Sequence, residues 1–299
     1  SKKLILGCKN TKIPSGVTEI GEDAFYGCSG LTSITIPDSV TKITVDAWSG
    51  GAFSGCSNLE SIIVDKNNET YDSRGDCNAI IEKSSKKLIL GCKNTKIPSG
   101  VTTIDSYAFE GCSGLTSITI PEGVTAIAYD AFSGCSNLES IIVDENNKTY
   151  DSREDCNAII YTADNTLILG CKKTTIPSDV TAIGDCAFSG CSSLTNITLP
   201  EGVTEIGSSA FSGCSGLANI TLPEGVTEIW YGAFSGCSSL TSITIPDSVT
   251  KIADDDNEDD KDNYNVFKNC SSLKSIIWKG ETYSSEKKFM NAFKTALKA

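Results

Sequence analysis

The chain repeats itself every 23 residues: Leu194, Leu217 and Leu240 keep that interval, as do Cys191, Cys214 and Cys237. Each sits in a near-copy of L-T-x-I-T-x-P-x-x-V-T-x-I-x-x-x-A-F-S-G-C-S. A unit this short cannot bury its own apolar face, so its Leu, Ile, Val, Phe and Cys positions have to form a core shared with the units before and after it. That requirement points to a solenoid, coil upon coil, before any question of function arises. An ordinary globular chain of 299 residues would suggest two domains, but a repeat array grows linearly. The expectation is one array over residues 1–283, followed by a capping helix over 284–299 whose apolar stripe is Phe289, Met290, Phe293 and Leu297.

Nine coils can be traced. The first keeps only its second half, from Ile13 through Val17, Ile20, Ala24 and Phe25 to Cys28, and reads as cut in mid-unit. The second inserts Ala47-Trp48-Ser49-Gly50-Gly51 before Ala52, Phe53 and Cys56, a lengthening that a surface loop absorbs at little cost. The fourth (Leu115 to Cys135), sixth (Leu194 to Cys214) and seventh (Leu217 to Cys237) have the bare form. The third and fifth break off after Val64 and Val143 and resume at Ile97 and Ile176, and the two interruptions, near 65–96 and 144–175, are copies of each other. The eighth carries an acidic insertion, and the array ends at Trp278.

Within a coil, the spacing of Leu31, Ile34 and Ile36 sets Ile34 and Ile36 on one face of a short strand, and Val40 to Ile43 forms a second extended piece after Pro37. The Ala-Phe-Ser-Gly-Cys segment reads as one helical or 3₁₀ turn with Gly at a left-handed exit. The expected fold is a β-rich α/β solenoid, with two short parallel strands and a helical turn per coil and two β-hairpin insertions.

The pattern C-x-x-L-x-x-I-x-I-P-x-x-V-x-x-I-x-x-x-A-F-x-x-C, from Ile13 to about Trp278, resembles the treponemal, or BspA-like, class of bacterial leucine-rich repeats. The runs from Val64 to Tyr71 and from Val143 to Tyr150 look like that family's hairpin-bearing variant. The resemblance implies a secreted or cell-surface bacterial protein that adheres to host or bacterial surface proteins, with no catalytic site in its repeats.

Composition narrows the function classes. A net charge of −13, from 38 acidic and 25 basic residues, disfavours nucleic acid as a partner. No apolar run is long enough to span a membrane, and no leader or sorting signal is visible, so no membrane insertion is expected. Histidine is absent, which leaves a serine or cysteine nucleophile without its usual base. The carboxylate pair Asp72 and Asp76 recurs as Asp151 and Asp155, which argues for structure over glycoside chemistry. No enzyme activity and no cofactor are expected. The run from Asp254 to Asp262 is oxygen-rich, as calcium loops are, but it lacks their glycine and bidentate Glu spacing, so it reads as a solvated loop. The sequons at Asn68, Asn147, Asn196, Asn219 and Asn269 follow from the abundance of Asn and Thr in the repeats.

Eight of the fourteen cysteines, Cys28, Cys56, Cys112, Cys135, Cys191, Cys214, Cys237 and Cys270, share one phase and read as buried free thiols. Without C-x-x-C or histidine, structural zinc is excluded. Cys77 and Cys92 are fifteen residues apart, as are Cys156 and Cys171. If each insertion folds as a hairpin about a turn such as Ser84-Ser85, the two members face each other, either as a disulfide or as a pair of thiols.

The outward Thr and Ser of the first strand are nearly uniform and suit a solvated sheet face. Specificity needs irregularity, and the irregular positions are Trp48, Trp230, Tyr231, and the insertion residues Tyr71, Arg74, Tyr150 and Arg153. Aromatic and Arg side chains are the usual anchors of interfaces, so these are the candidate protein-binding residues of an adhesin that is expected to be monomeric. A structural spacer within a larger surface protein is the alternative.

Overall fold

The computed structural model describes residues 2–46, 50–253 and 265–297. It divides into two compact units, Ser1–Asp151 and Ser152–Ala299. Trp48 and the acidic run 254–262 lie outside the described residues.

In the first unit each full coil opens on a buried leucine and runs into a four-residue strand. Ser33–Ile36 pairs in parallel with Ser61–Val64, and Ser117–Ile120 with Ser140–Val143. Alternation decides the faces: Ile34 and Ile36 enter the core while Ser33 and Thr35 meet solvent. A second row consists of two-residue strands, in which Lys3–Leu4, Glu19–Ile20 and Lys42–Ile43 form one parallel sheet. Farther along, Thr103–Ile104 and Ala126–Ile127 run parallel to Lys87–Leu90. That strand is one arm of an antiparallel hairpin with Ile80–Glu82, and Tyr71–Asp72 adds to the hairpin's other side.

The second unit repeats the plan. The hairpin of Ala158–Tyr161 with Thr166–Gly170 is followed in parallel by Ala182–Ile183, Glu205–Ile206, Glu228–Ile229 and Lys251–Ile252. On the first-strand side, Ser242–Ile245 pairs with Ser275–Trp278, but between the two bare coils the ladder shrinks to a single bridge, Thr198 to Thr221.

The Ala-Phe-Ser-Gly-Cys segments form a third column of single hydrogen-bonded turns, each closed by a bond of the 3₁₀ kind between residues three apart. Cys28 N donates to Phe25 O at 3.0 Å to close its turn, while Phe25 N reaches Ala52 O at 2.7 Å and Gly27 N reaches Ser54 O at 2.8 Å, one coil on. The same inter-coil pair recurs from Phe109 and Gly111, and from Phe211 and Gly213. Donors that a helix would use internally are thus spent on the neighbour. The column favours glycine: Gly55 has φ +75°, and a Cβ there would lie 3.2 Å from the Cα of Gly27, while Asn269 takes the same left-handed place at φ +58° before Cys270.

Aromatic rings and thiols fill the space inside the turns. Phe211 lies between Phe188 at 5.2 Å and Phe234 at 5.5 Å, with near-parallel rings. Cys56, Cys214 and Cys237 donate their thiols to the carbonyls of Phe25, Phe188 and Phe211 at 3.1–3.3 Å, so the cysteine column bonds coil to coil as well as packing. Burial pushes the thiols of Cys56, Cys112 and Cys237 up to about 12.

A helix, Glu286–Ala296, follows the last coil, with Ser285 as its N-cap accepting from Lys288 N. Phe289 and Phe293 pack on Trp278 at 6.0 and 5.2 Å. Leu297, expected on the same stripe, is the C-cap of this helix and is exposed.

Candidate functional site

The hairpin tyrosines do not face solvent as interface anchors would. Tyr71 is 3% and Tyr150 5% exposed. The phenol oxygen of Tyr71 accepts from Ile43 N at 3.0 Å, and that of Tyr150 accepts from Ile127 N at 3.1 Å. Ile43 and Ile127 lie in edge strands of their sheets, where no further strand among the described residues offers a carbonyl. Each phenol supplies the acceptor that the sheet lacks. Desolvation accordingly pushes the Tyr71 phenol above its ordinary value.

The insertion arginines are held by neighbouring residues. Arg74 grips Asp72 through two bonds of 2.9 and 2.6 Å, and Arg153 Nη1 donates to Asn165 and Asp179. Trp230 and Tyr231 are the candidates brought together, with ring centroids 6.4 Å apart. Lys251 Nζ sits 3.5 Å from the Trp230 ring centroid and pairs with Glu228 at 3.0 Å, so one face of the indole is covered by a cation. The indole N–H is buried without a hydrogen-bond partner. Tyr231 keeps an exposed ring.

The facing cysteine pairs are not formed. Each hairpin carries a bulge that shifts its register, between Leu88 and Leu90 in the first and between Ile159 and Ile160 in the second. Cys92 Sγ consequently lies 3.5 Å from the carbonyl of Asn78, and Cys171 Sγ lies 3.6 Å from that of Asn157. None of the four hairpin cysteines is joined in a disulfide.

Two features were missed by sequence reasoning. Asn68 and Asn147 are buried polar residues. Asn68 Nδ2 donates to the carbonyls of Pro37 and Val40 at 2.7 and 2.9 Å, and its Oδ1 accepts from the amides of Thr70 and Tyr71. Asn147 makes the same four bonds with Pro121, Val124, Thr149 and Tyr150. The repeated N-x-x-Y was the available signal, and amides so engaged are closed to glycosylation. The second feature is a pair of outward isoleucines, Ile63 and Ile142, each 52% exposed at strand positions that face Thr35 and Thr119. Here the signal was S-I-I-V where other coils read S-I-T-I.

Among the described residues no group of three or more acidic or cysteine side chains could hold a metal ion, and no helix is long and apolar enough to cross a membrane.

A family model described as a BspA-type leucine-rich repeat region matches residues 5–75, 79–157 and 168–258 in six copies. Among solved structures, a leucine-rich repeat protein from Eubacterium ventriosum is 26% identical over 89% of this chain and 71% of its own, with a TM-score of 0.54. A leucine-rich cell surface protein from Faecalibacterium prausnitzii is 23% identical over 92% of this chain and 87% of its own, with a TM-score of 0.49. Among curated proteins, none matches.

Proposed function

The chain belongs to the BspA-type leucine-rich repeat family, and from that membership we propose that it is a non-catalytic protein-binding scaffold, secreted or displayed on a bacterial cell surface, that adheres to host or bacterial surface proteins. In this reading residues 1–283 act as one monomeric array of two-strand coils, closed by the helix at 284–299. The observation that carries the proposal is the outward placement of Ile63 and Ile142 on strands whose partner positions are Thr. Single apolar side chains on a surface are ordinary, but both hairpin-bearing coils place Ile at this outward position where the preceding strand has Thr, which leaves two aliphatic groups available to a partner. Trp230 and Tyr231 offer a second such place.

The test is capture of partners from a panel of immobilised host matrix proteins and bacterial surface extracts. Wild type is expected to bind at least one of them, and the double variant Ile63→Thr/Ile142→Thr, which restores the repeat residue at both positions, is expected to lose at least tenfold in affinity. Failure of the intact chain to bind anything in the panel would favour the spacer reading.

A further inference from the structure

Residues 1–18 are identical to residues 85–102. The first unit thus holds one stretch of chain in two settings, and both fold it alike. Gly21 N donates to Leu4 O at 2.8 Å where Asp105 N donates to Leu88 O at 3.0 Å, and the amides of Cys8 and Cys92 each donate to the threonine hydroxyl three residues on at 2.7 Å. The settings differ on the opposite flank. Lys87–Leu90 carries the antiparallel arm Ile80–Glu82, whereas Lys3–Leu4 ends its sheet and no strand among the described residues lies beyond it. Leu6 is 79% exposed, and its twin Leu90 is 8% exposed. The main chain is open at the same edge. Lys2 O and Leu4 O accept from the following coil, and main-chain groups alternate along a strand, so those of Lys3 and Ile5 point to the uncovered side.

The covered twin specifies what fits. Its arm reads Asn78-Ala79-Ile80-Ile81, and the arm of the second hairpin, paired with the matching Leu167 to Gly170, reads Asn157-Ala158-Ile159-Ile160. Ala79, Ile80 and Ile81 are buried, the Asn78 carbonyl accepts from Thr95 Oγ1 at 2.5 Å, and the Cys77 carbonyl accepts from Lys96 N at 3.0 Å. Thr11 and Lys12 hold the same places beside the open edge. We propose that the Lys3–Leu4 edge takes an antiparallel strand of a partner polypeptide, in which a small residue is followed by two β-branched aliphatic ones. Charge does not select this strand, because Lys3 is already paired with Glu19. Main-chain bonds and apolar cover do. A second copy of this chain fits less well: setting its Leu4 against Leu6 would bring its Lys3 to the place of the buried Ala79. The inference does not depend on the adhesive reading, whose outward isoleucines lie on other strands.

Fluorescence anisotropy on the whole chain, with a labelled peptide copying residues 78–83, tests this. The peptide is expected to bind saturably. Its Ile80→Pro version is expected to bind at least tenfold more weakly, because proline cannot donate to the ladder. The Leu6→Asp protein is expected to bind the unaltered peptide at least tenfold more weakly than wild type does, and its circular dichroism should match wild type because Leu6 is exposed. Bound peptide should also slow amide exchange at Lys3. Absence of binding, equal binding of the proline version, or undiminished binding by Leu6→Asp overturns the assignment. So does dimerisation of the chain in analytical ultracentrifugation that Leu6→Asp abolishes, which would give the edge to a second copy.

Discussion

The bare coils from Leu194 to Cys237 and the hairpin-bearing coil from Leu59 to Cys112 bury their cores equally well by different means. In the bare coils the demands of the turn column are met by the matching turn one period away. Phe211 stacks on Phe188 and Phe234, and its amide bonds the carbonyl of Ala233. In the hairpin-bearing coil the period is broken, and side chains replace the missing main-chain partners. Asn68 satisfies two carbonyls and two amides, and Tyr71 satisfies the amide at the open edge of the Lys42–Ile43 strand. A strict period lets the backbone satisfy itself. An interruption hands that task to a few buried polar groups, which then cannot be spared.

The contrast can be broken most severely at Asn68. Asn68→Ala takes a partner from four backbone groups, of which Val40 O and Tyr71 N are buried, and should cost about 5 kcal/mol in urea unfolding. Phe211→Ala removes only packing from a bare coil and should cost about 4 kcal/mol. If the order reverses, the polar anchors matter less than the column. Tyr71→Phe keeps the ring and deletes one acceptor, so about 1–2 kcal/mol is expected.

The smallest effect has the opposite sign. Glu110 stands where most other coils have Ser, and its Oε2 is buried without a partner. Burial, then the nearby charge of Asp130, raises its pKa against the opposing hydroxyl of Ser54. A carboxyl whose folded pKa is raised holds its proton more tightly when folded, so its penalty is absent below the unfolded value of about 4.3 and grows as pH rises through the folded one. Glu110→Ser should leave the melting temperature unchanged at pH 4. At pH 7 it should raise stability by about 0.5 kcal/mol, a small figure because solvent reaches this half-exposed group.

The coil plan was legible because one apolar pattern recurs at 23 residues and only stacking can bury it. The hairpins were legible as elements but not in register, since a bulge near Ile89 or Ile168 leaves no mark in an apolar run. Tyr71 and Tyr150 were misplaced because an aromatic beside an Arg in an insertion looks like an interface anchor. Their burial depends on a distant strand end that local sequence does not display. Asn68 was hidden for the converse reason: its polarity suggests solvent, and only the folded neighbour reveals four bonding partners. The exposed Ile63 and Ile142 were visible as departures from the Thr row, but the apolar character of the whole strand masked them.

Amide hydrogen exchange at Ile43 tests most directly the claim that side chains stand in for absent strands. In wild type this amide should be protected to the same degree as the strand around it. In Tyr71→Phe it should lose its protection while Ile20, one strand back, keeps its own. Exchange at Ile43 that is unchanged by the substitution would contradict the account.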